Sequence, residues 1–278
     1  LQPLTTGDSR SIVIAATEAA PLRAADLEVL MARSGGNPLV LDELIRVVRE
    51  TGTVEDLPDS LDAIVGMEID ALAHLARRVL RMVSVLGRSF RRVVLDEFLA
   101  AEGLRLDRAT TLALGQFLDE DDGERLSFRH AAVHQVAYEG LSYRRRRLLH
   151  ARAGAVIERL AGGDPLPVAE FLAHHSSRAG DWEKAWRYAA AAGDRAKRRY
   201  ANREAAVHYR SAVDAARRLE SVDGAETGRI YEALGDVIEL AGAYEDADQS
   251  FAAARRLLAD RPGATGRLMA KQGLLREK

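Results

Sequence analysis

Two histidines, His130 and His134, stand one helical turn apart, a spacing that can present two imidazoles to a metal ion. No third ligand accompanies them, and a histidine at a helix start more often bonds backbone or packs, so no metal site is expected here. His174 and His175 are adjacent and point to different faces of any helix that carries them. The most basic run is Arg144-Arg145-Arg146-Arg147, which suits either nucleic-acid phosphates or an acidic surface of the protein itself. Four positive charges near a helix N-terminus oppose the helix dipole, so a compensating carboxylate cluster or an anion is expected beside them. The run Asp119-Glu120-Asp121-Asp122 is the candidate, and internal or interdomain pairing is favoured over nucleic acid. Gly-x-x-x-x-Gly-Lys-Ser/Thr, His-Glu-x-x-His and Gly-x-Ser-x-Gly are all absent. The remaining acids interleave with Arg and Lys in the manner of solvated helix faces. No catalytic residue is therefore assigned.

The elements that must carry these residues follow from composition and pattern. With 278 residues, two or three compact units are expected. A formal net charge of -2 excludes a nucleic-acid binder that relies on bulk positive charge. The chain has no cysteine, which suits a reducing cytoplasm and removes disulfides and thiolate metal sites. Its apolar stretches are broken by charges well short of the roughly 20 residues that span a bilayer, so no membrane association is expected. No signal peptide is evident, and the first residue is Leu1 rather than Met, as in a piece of a longer cytoplasmic protein.

Mainly helical structure is expected throughout. Leu27, Leu30 and Met31 share a face of a helix over Ala24–Arg33, and after Ser34-Gly35-Gly36-Asn37-Pro38 a second helix runs to Gly52. Residues 1–56 read as a small helical subdomain. Leu57-Pro58-Asp59-Ser60 is a stop-and-restart signal with Asp59 or Ser60 as N-cap, followed by apolar residues from Leu61 to Leu86 with a break around Gly66. Helical patterns at Val93–Ala101 and Asp107–Leu118, an acidic turn at 119–123 and a short strand over Arg125–Arg129 give winged-helix grammar to residues 57–161. Residues 162–278 read as helical pairs. There Tyr231, Leu234, Gly235, Ile238, Tyr244, Ala247, Phe251 and Ala254 follow the tetratricopeptide pattern, echoed by Gly193, Ala205, Tyr209 and Ala212. Small residues let the two helices of a hairpin approach while an aromatic ring fills the groove. Such repeats would suit a protein or peptide partner, although Tyr231, Tyr244 and Phe251 are better placed as packing residues.

Gly36-Asn37-Pro38-Leu39, Leu57-Pro58-x-Ser60-Leu61, Val85-Leu86-Gly87-Arg88-x-Phe90, Phe128-Arg129-His130-Ala131, Ala137-Tyr138-Glu139-Gly140-Leu141 and Glu232-Ala233-Leu234-Gly235-Asp236 occur in that order. Together they resemble signal-transducing ATPases with numerous domains, the STAND branch of the AAA+ superfamily. The closest likeness is to the C-terminal half of bacterial class III adenylate/guanylate cyclase proteins, with LuxR-type ATPase activators second. The resemblance implies a helical lid, a winged helix and tetratricopeptide-like repeats, with an ADP- or ATP-binding domain and an output domain upstream. It further implies that Gly36 and Pro38 lie against adenine and that His130 holds the ADP phosphates in a closed state. The complete protein would bind the nucleotide, and this piece alone would not retain it. On the residues alone, Pro38 starting a helix and His130 capping one stand beside those roles. Glu68 departs from the resemblance, which has Arg at that place. A winged-helix DNA binder led by Arg144–Arg147 is the alternative from another class.

Overall fold

The computed structural model describes residues 4–17, 21–51, 54, 61–275 and 277. Its order is α1 (Thr6–Ala16), α2 (Ala24–Ser34), α3 (Pro38–Thr51), α4 (Leu61–Ala71), α5 (His74–Val83), β1 (Ser89–Arg91), α6 (Arg92–Ala101), α7 (Arg108–Leu114), β2 (Leu118–Asp121), β3 (Arg125–Phe128) and α8 (Ala131–Glu139). Then follow α9 (Tyr143–Leu160), α10 (Ala169–Ala179), α11 (Trp182–Arg198), α12 (Asn202–Ala216), α13 (Gly224–Glu239), α14 (Tyr244–Leu257) and α15 (Pro262–Leu275). The architecture is mainly α. No described helix is long and apolar enough to cross a membrane. The chain packs as two compact units: residues 1–90 with 106–141, and residues 91–105 with 142–278.

In the first unit, α1 to α4 enclose an apolar core that includes Val13, Leu30, Leu41, Leu44, Val48 and Ile64. The first helix begins at an N-cap, where Thr5 Oγ1 accepts from the Asp8 amide at 3.2 Å. The break expected at Gly66 is not there. Helix α4 continues through it and ends at Ala71, and Leu72-Ala73 make the turn into α5. The Asp59 or Ser60 cap and the Leu57-Pro58-x-Ser60 motif lie outside the described residues.

Three strands form a small sheet in the order β1-β3-β2. In the antiparallel pair, Leu118 faces Phe128 and Asp121 faces Arg125. Helix α7 is capped by Asp107, whose Oδ1 accepts from the Thr110 amide at 2.7 Å, and it stops at Leu114 rather than Leu118. The acidic run 119–121 is strand β2 and not a turn. The reversal is made by Asp122 and Gly123, with φ of 47° and 71°, the left-handed pair that tight hairpins favour. Phe90 and Phe128 meet edge to face, with centroids 6.3 Å apart, beneath the sheet.

The second unit is built on helix hairpins. Gly193 of α11 lies under the ring of Tyr209 of α12, and a Cβ built there would sit 2.6 Å from the ring carbons. Gly235 of α13 and Phe251 of α14 repeat the arrangement. In both hairpins the ring follows the glycine by the same interval, and both rings are fully buried. This is the small-against-large packing of the tetratricopeptide pattern, and it fixes how closely the helices approach. Gly235→Ala should therefore destabilise the unit by about 1–2 kcal/mol, because steric strain of roughly 1–3 kcal/mol exceeds the helix-propensity gain of up to about 1 kcal/mol. A lowered urea midpoint with unchanged slope checks it.

Helices of neighbouring hairpins are joined by polar contacts. Tyr209 Oη donates to Asp194 at 2.6 Å, and Asp194 accepts from Arg229 at 3.1 Å. Lys197 and Lys271 both donate to Asp236, and Arg267 and Lys271 both pair with Glu232. These cations hold the Glu232 carboxyl down at about 2, Arg267 first among them.

Candidate nucleotide-contact and interaction residues

Gly36 and Pro38 form the corner between α2 and α3. Gly35 and Gly36 take φ of 54° and 76°, a backbone that side chains resist. The Gly36 carbonyl accepts from the Leu4 amide at 2.7 Å, and Asn37 donates to the Ser34 carbonyl at 2.9 Å. Pro38 is exposed at the first position of α3, where a missing amide hydrogen costs nothing. The corner is thus a rigid, accessible strip of backbone.

His130 stands two residues after the end of β3, beyond Arg129, and occupies the N-cap position of α8, with φ of −130°. Its side chain makes no capping bond, and the residue is exposed. His134 behaves differently. Its Nε2 lies 2.9 Å from the Ser84 carbonyl, and its ring stacks edge-on to Phe128 at 5.1 Å. Burial lowers its pKa, so the ring is a neutral packing element that donates to backbone. The two histidines spaced for a metal therefore have separate environments.

Glu68, where the family resemblance has Arg, is mostly covered and forms an ion pair with Arg46 of α3. The reversed charge is absorbed by a neighbouring helix of the same unit.

The arginine run lies in the first turn of α9, where Ser142 Oγ accepts from the Arg145 amide at 3.3 Å. Its compensating carboxylate is Glu102, just beyond α6. The Glu102 side chain is only 2 % exposed; it accepts from Arg145 at 2.8 Å and also pairs with Arg152. Arg147 donates through Nε to the Ala179 carbonyl at 3.0 Å. The acidic run is engaged elsewhere: Asp119 pairs with Arg129 at 2.9 Å. So the run is partly structural, and Arg144 and Arg147 are its exposed members.

Two features had no sequence signal. A groove of about 610 Å³ opens between α12 and α14, floored by Tyr231, Leu234 and Ile238 and walled by Arg210, Arg217, Asp246 and Arg256. Of the aromatics considered for partner binding, Tyr231 lines this groove, Phe251 is buried and Tyr244 is exposed. The second feature is a cluster of His150, His174 and His175, whose ring centroids lie 5.1–5.6 Å apart. Among the described residues, Glu170, Glu204 and His208 also bring donor atoms within 4.8 Å of one another, but Glu204 is already paired with Arg199 at 2.9 Å.

Comparison with known proteins adds little to this geometry. No family model matches the chain. No curated protein matches it either. Among solved structures, a STAND protein with a tetratricopeptide repeat sensor from Pyrococcus horikoshii aligns with all of this chain and 45% of its own, at 14% identity and a TM-score of 0.46. The chain spans less than half the length of that protein.

Proposed function

We propose that this chain is the regulatory part of a STAND-type ATPase, in which residues 1–56 form the lid of a nucleotide-binding domain, residues 57–161 a winged-helix domain, and the helix pairs of residues 162–278 an interaction platform. The observation that carries the reading is the placement of His130. It is an exposed imidazole without a capping bond, at the junction of wing strand β3 and helix α8. Such a ring can donate to a phosphate and be withdrawn when the domain bearing it swings away. In this reading Gly36 and Pro38 offer adenine a close backbone approach, and the chain performs no chemistry itself. ADP or ATP is held by a domain that precedes residue 1, and the output is an adenylate/guanylate cyclase. The protein acts in the cytoplasm, and a protein or peptide segment engages the repeats.

The test is ADP affinity in the longer protein that carries this chain. His130→Ala should weaken ADP binding by about tenfold, the equivalent of one charge-assisted hydrogen bond of roughly 1.4 kcal/mol. An unchanged dissociation constant by calorimetry would remove the phosphate role.

A further inference from the structure

The hairpins from α11 to α14 fill the slot over their glycines with rings that do not titrate near neutrality, Tyr209 and Phe251. The preceding hairpin is less tightly interlocked: a Cβ built on Gly154 of α9 would lie 3.5 Å from the Cβ of His175 of α10, an ordinary contact, and a polar pair of histidines joins the two helices there. His175 is 2 % exposed, and His150 of α9 is 1 % exposed. Their Nδ1 atoms are 2.9 Å apart, so one ring donates and the other accepts. This bond between α9 and α10 requires an acceptor nitrogen that carries no proton.

Among the described residues, the charged groups that shift the titration of His150 all oppose a second proton. Arg146 on α9 and Arg178 and His174 on α10 act on His150, all with the sign of an imidazolium. Glu158 of α9 and Asp181 line the small cavity beside His150. However, the oxygens of Glu158 are taken by Lys184 and Tyr188 of α11, and Asp181 caps α11 by accepting from the Lys184 amide. Glu97 of α6 is taken by Arg159, and Glu102 just beyond α6 by Arg145 and Arg152.

We infer that the His150–His175 bond is an acid-sensitive joint: lowering the pH opens α9 from α10 locally, ahead of the hairpins that follow. Burial, with the nearby positive charges, pushes both imidazoles down to about 3. Opened, they return to about 6.5, so the open state binds more protons wherever the pH lies between these values. Opening is therefore disfavoured above pH 6.5 and grows as pH falls below it. Each histidine multiplies the opening constant by about 11 at pH 5.5, and the two together by about 100.

Amide exchange read by mass spectrometry, corrected for the intrinsic pH dependence of exchange, tests this on the whole chain. Between pH 7.5 and 5.5 the opening constant of segment 150–179 should rise about 100-fold, while segment 230–254 stays within a few-fold. His175→Phe, which installs the ring that Phe251 supplies in its own hairpin, should cut the rise to about tenfold. The double variant His150→Leu with His175→Phe should leave only the smaller rise that comes from His174, whose pKa burial also lowers. An undiminished rise in the folded His175→Phe variant, or an equal rise in segment 230–254 of the unaltered chain, would overturn the joint.

Discussion

Glu102→Ala is expected to destabilise the second unit by about 1.5–3 kcal/mol, the range for hydrogen bonds to a charged group, since the arginines left behind are 33% and 40% exposed and can be met by water. The size follows from geometry: one carboxylate, 2 % exposed, serves Arg145 and Arg152 together. Without it, two guanidinium groups about two helical turns apart on α9 lose their shared counter-charge, and Glu97–Arg159 is left as the ion pair between α6 and α9. Glu102→Gln should cost less, because the amide oxygen still accepts one hydrogen bond while the charge is gone. Urea denaturation of the three proteins checks the order. If Glu102→Ala were as stable as the parent, the carboxylate would contribute nothing to the anchoring of α9.

Phe251→Ala should cost about 3–5 kcal/mol, as buried aromatic truncations do. The ring has no exposed surface, and its groove is defined by Gly235, which cannot reach across to fill the space. Lys271 also stands over the ring, with Nζ 5.3 Å from the centroid. Truncation should therefore loosen α15 together with α14. Thermal unfolding should then show either a large fall in midpoint or a separate early transition of the last helices. A change within about 0.5 kcal/mol, the range of surface substitutions, would contradict the packing.

How far the sequence revealed this fold differs with the kind of interaction. The Gly193–Tyr209 and Gly235–Phe251 pairs were legible because a repeated spacing of small and large residues has one geometric solution, a close hairpin. Asp107, where the sequence begins a helical pattern, is the N-cap of α7, one position before its start. The break assigned to Gly66 was misplaced because glycine weakens a helix without ending it. Val136 merely approaches the open side of Gly66, 3.9 Å from the position of a Cβ, and α4 runs through. The acidic run was misread as a turn because four consecutive acids have poor strand propensity. Three of them nonetheless pair with β3, since the strand is exposed along that length. Glu102 gave no signal as a lone acid after a helix, and only the packing of α6 on α9 turns it into the counter-charge of the arginine run.

The candidate site was partly legible. Ser34-Gly35-Gly36-Asn37-Pro38 does separate two helices, with Gly35 and Gly36 in left-handed backbone, and His130 is exposed just before the start of α8. The residues nearby in sequence were no guide to the histidine cluster. His174 and His175 read as diverging, and their partner His150 is on another helix, so the bond exists only once α9 and α10 have met.

The segment 91–105 packs with 142–278 although its sequence neighbours on both sides pack with the other unit. The backbone consequently passes between the units three times, after Phe90, Arg105 and Leu141. No single proteolytic cut can release an intact repeat unit, because a product starting at Ser142 leaves α6 and Glu102 behind.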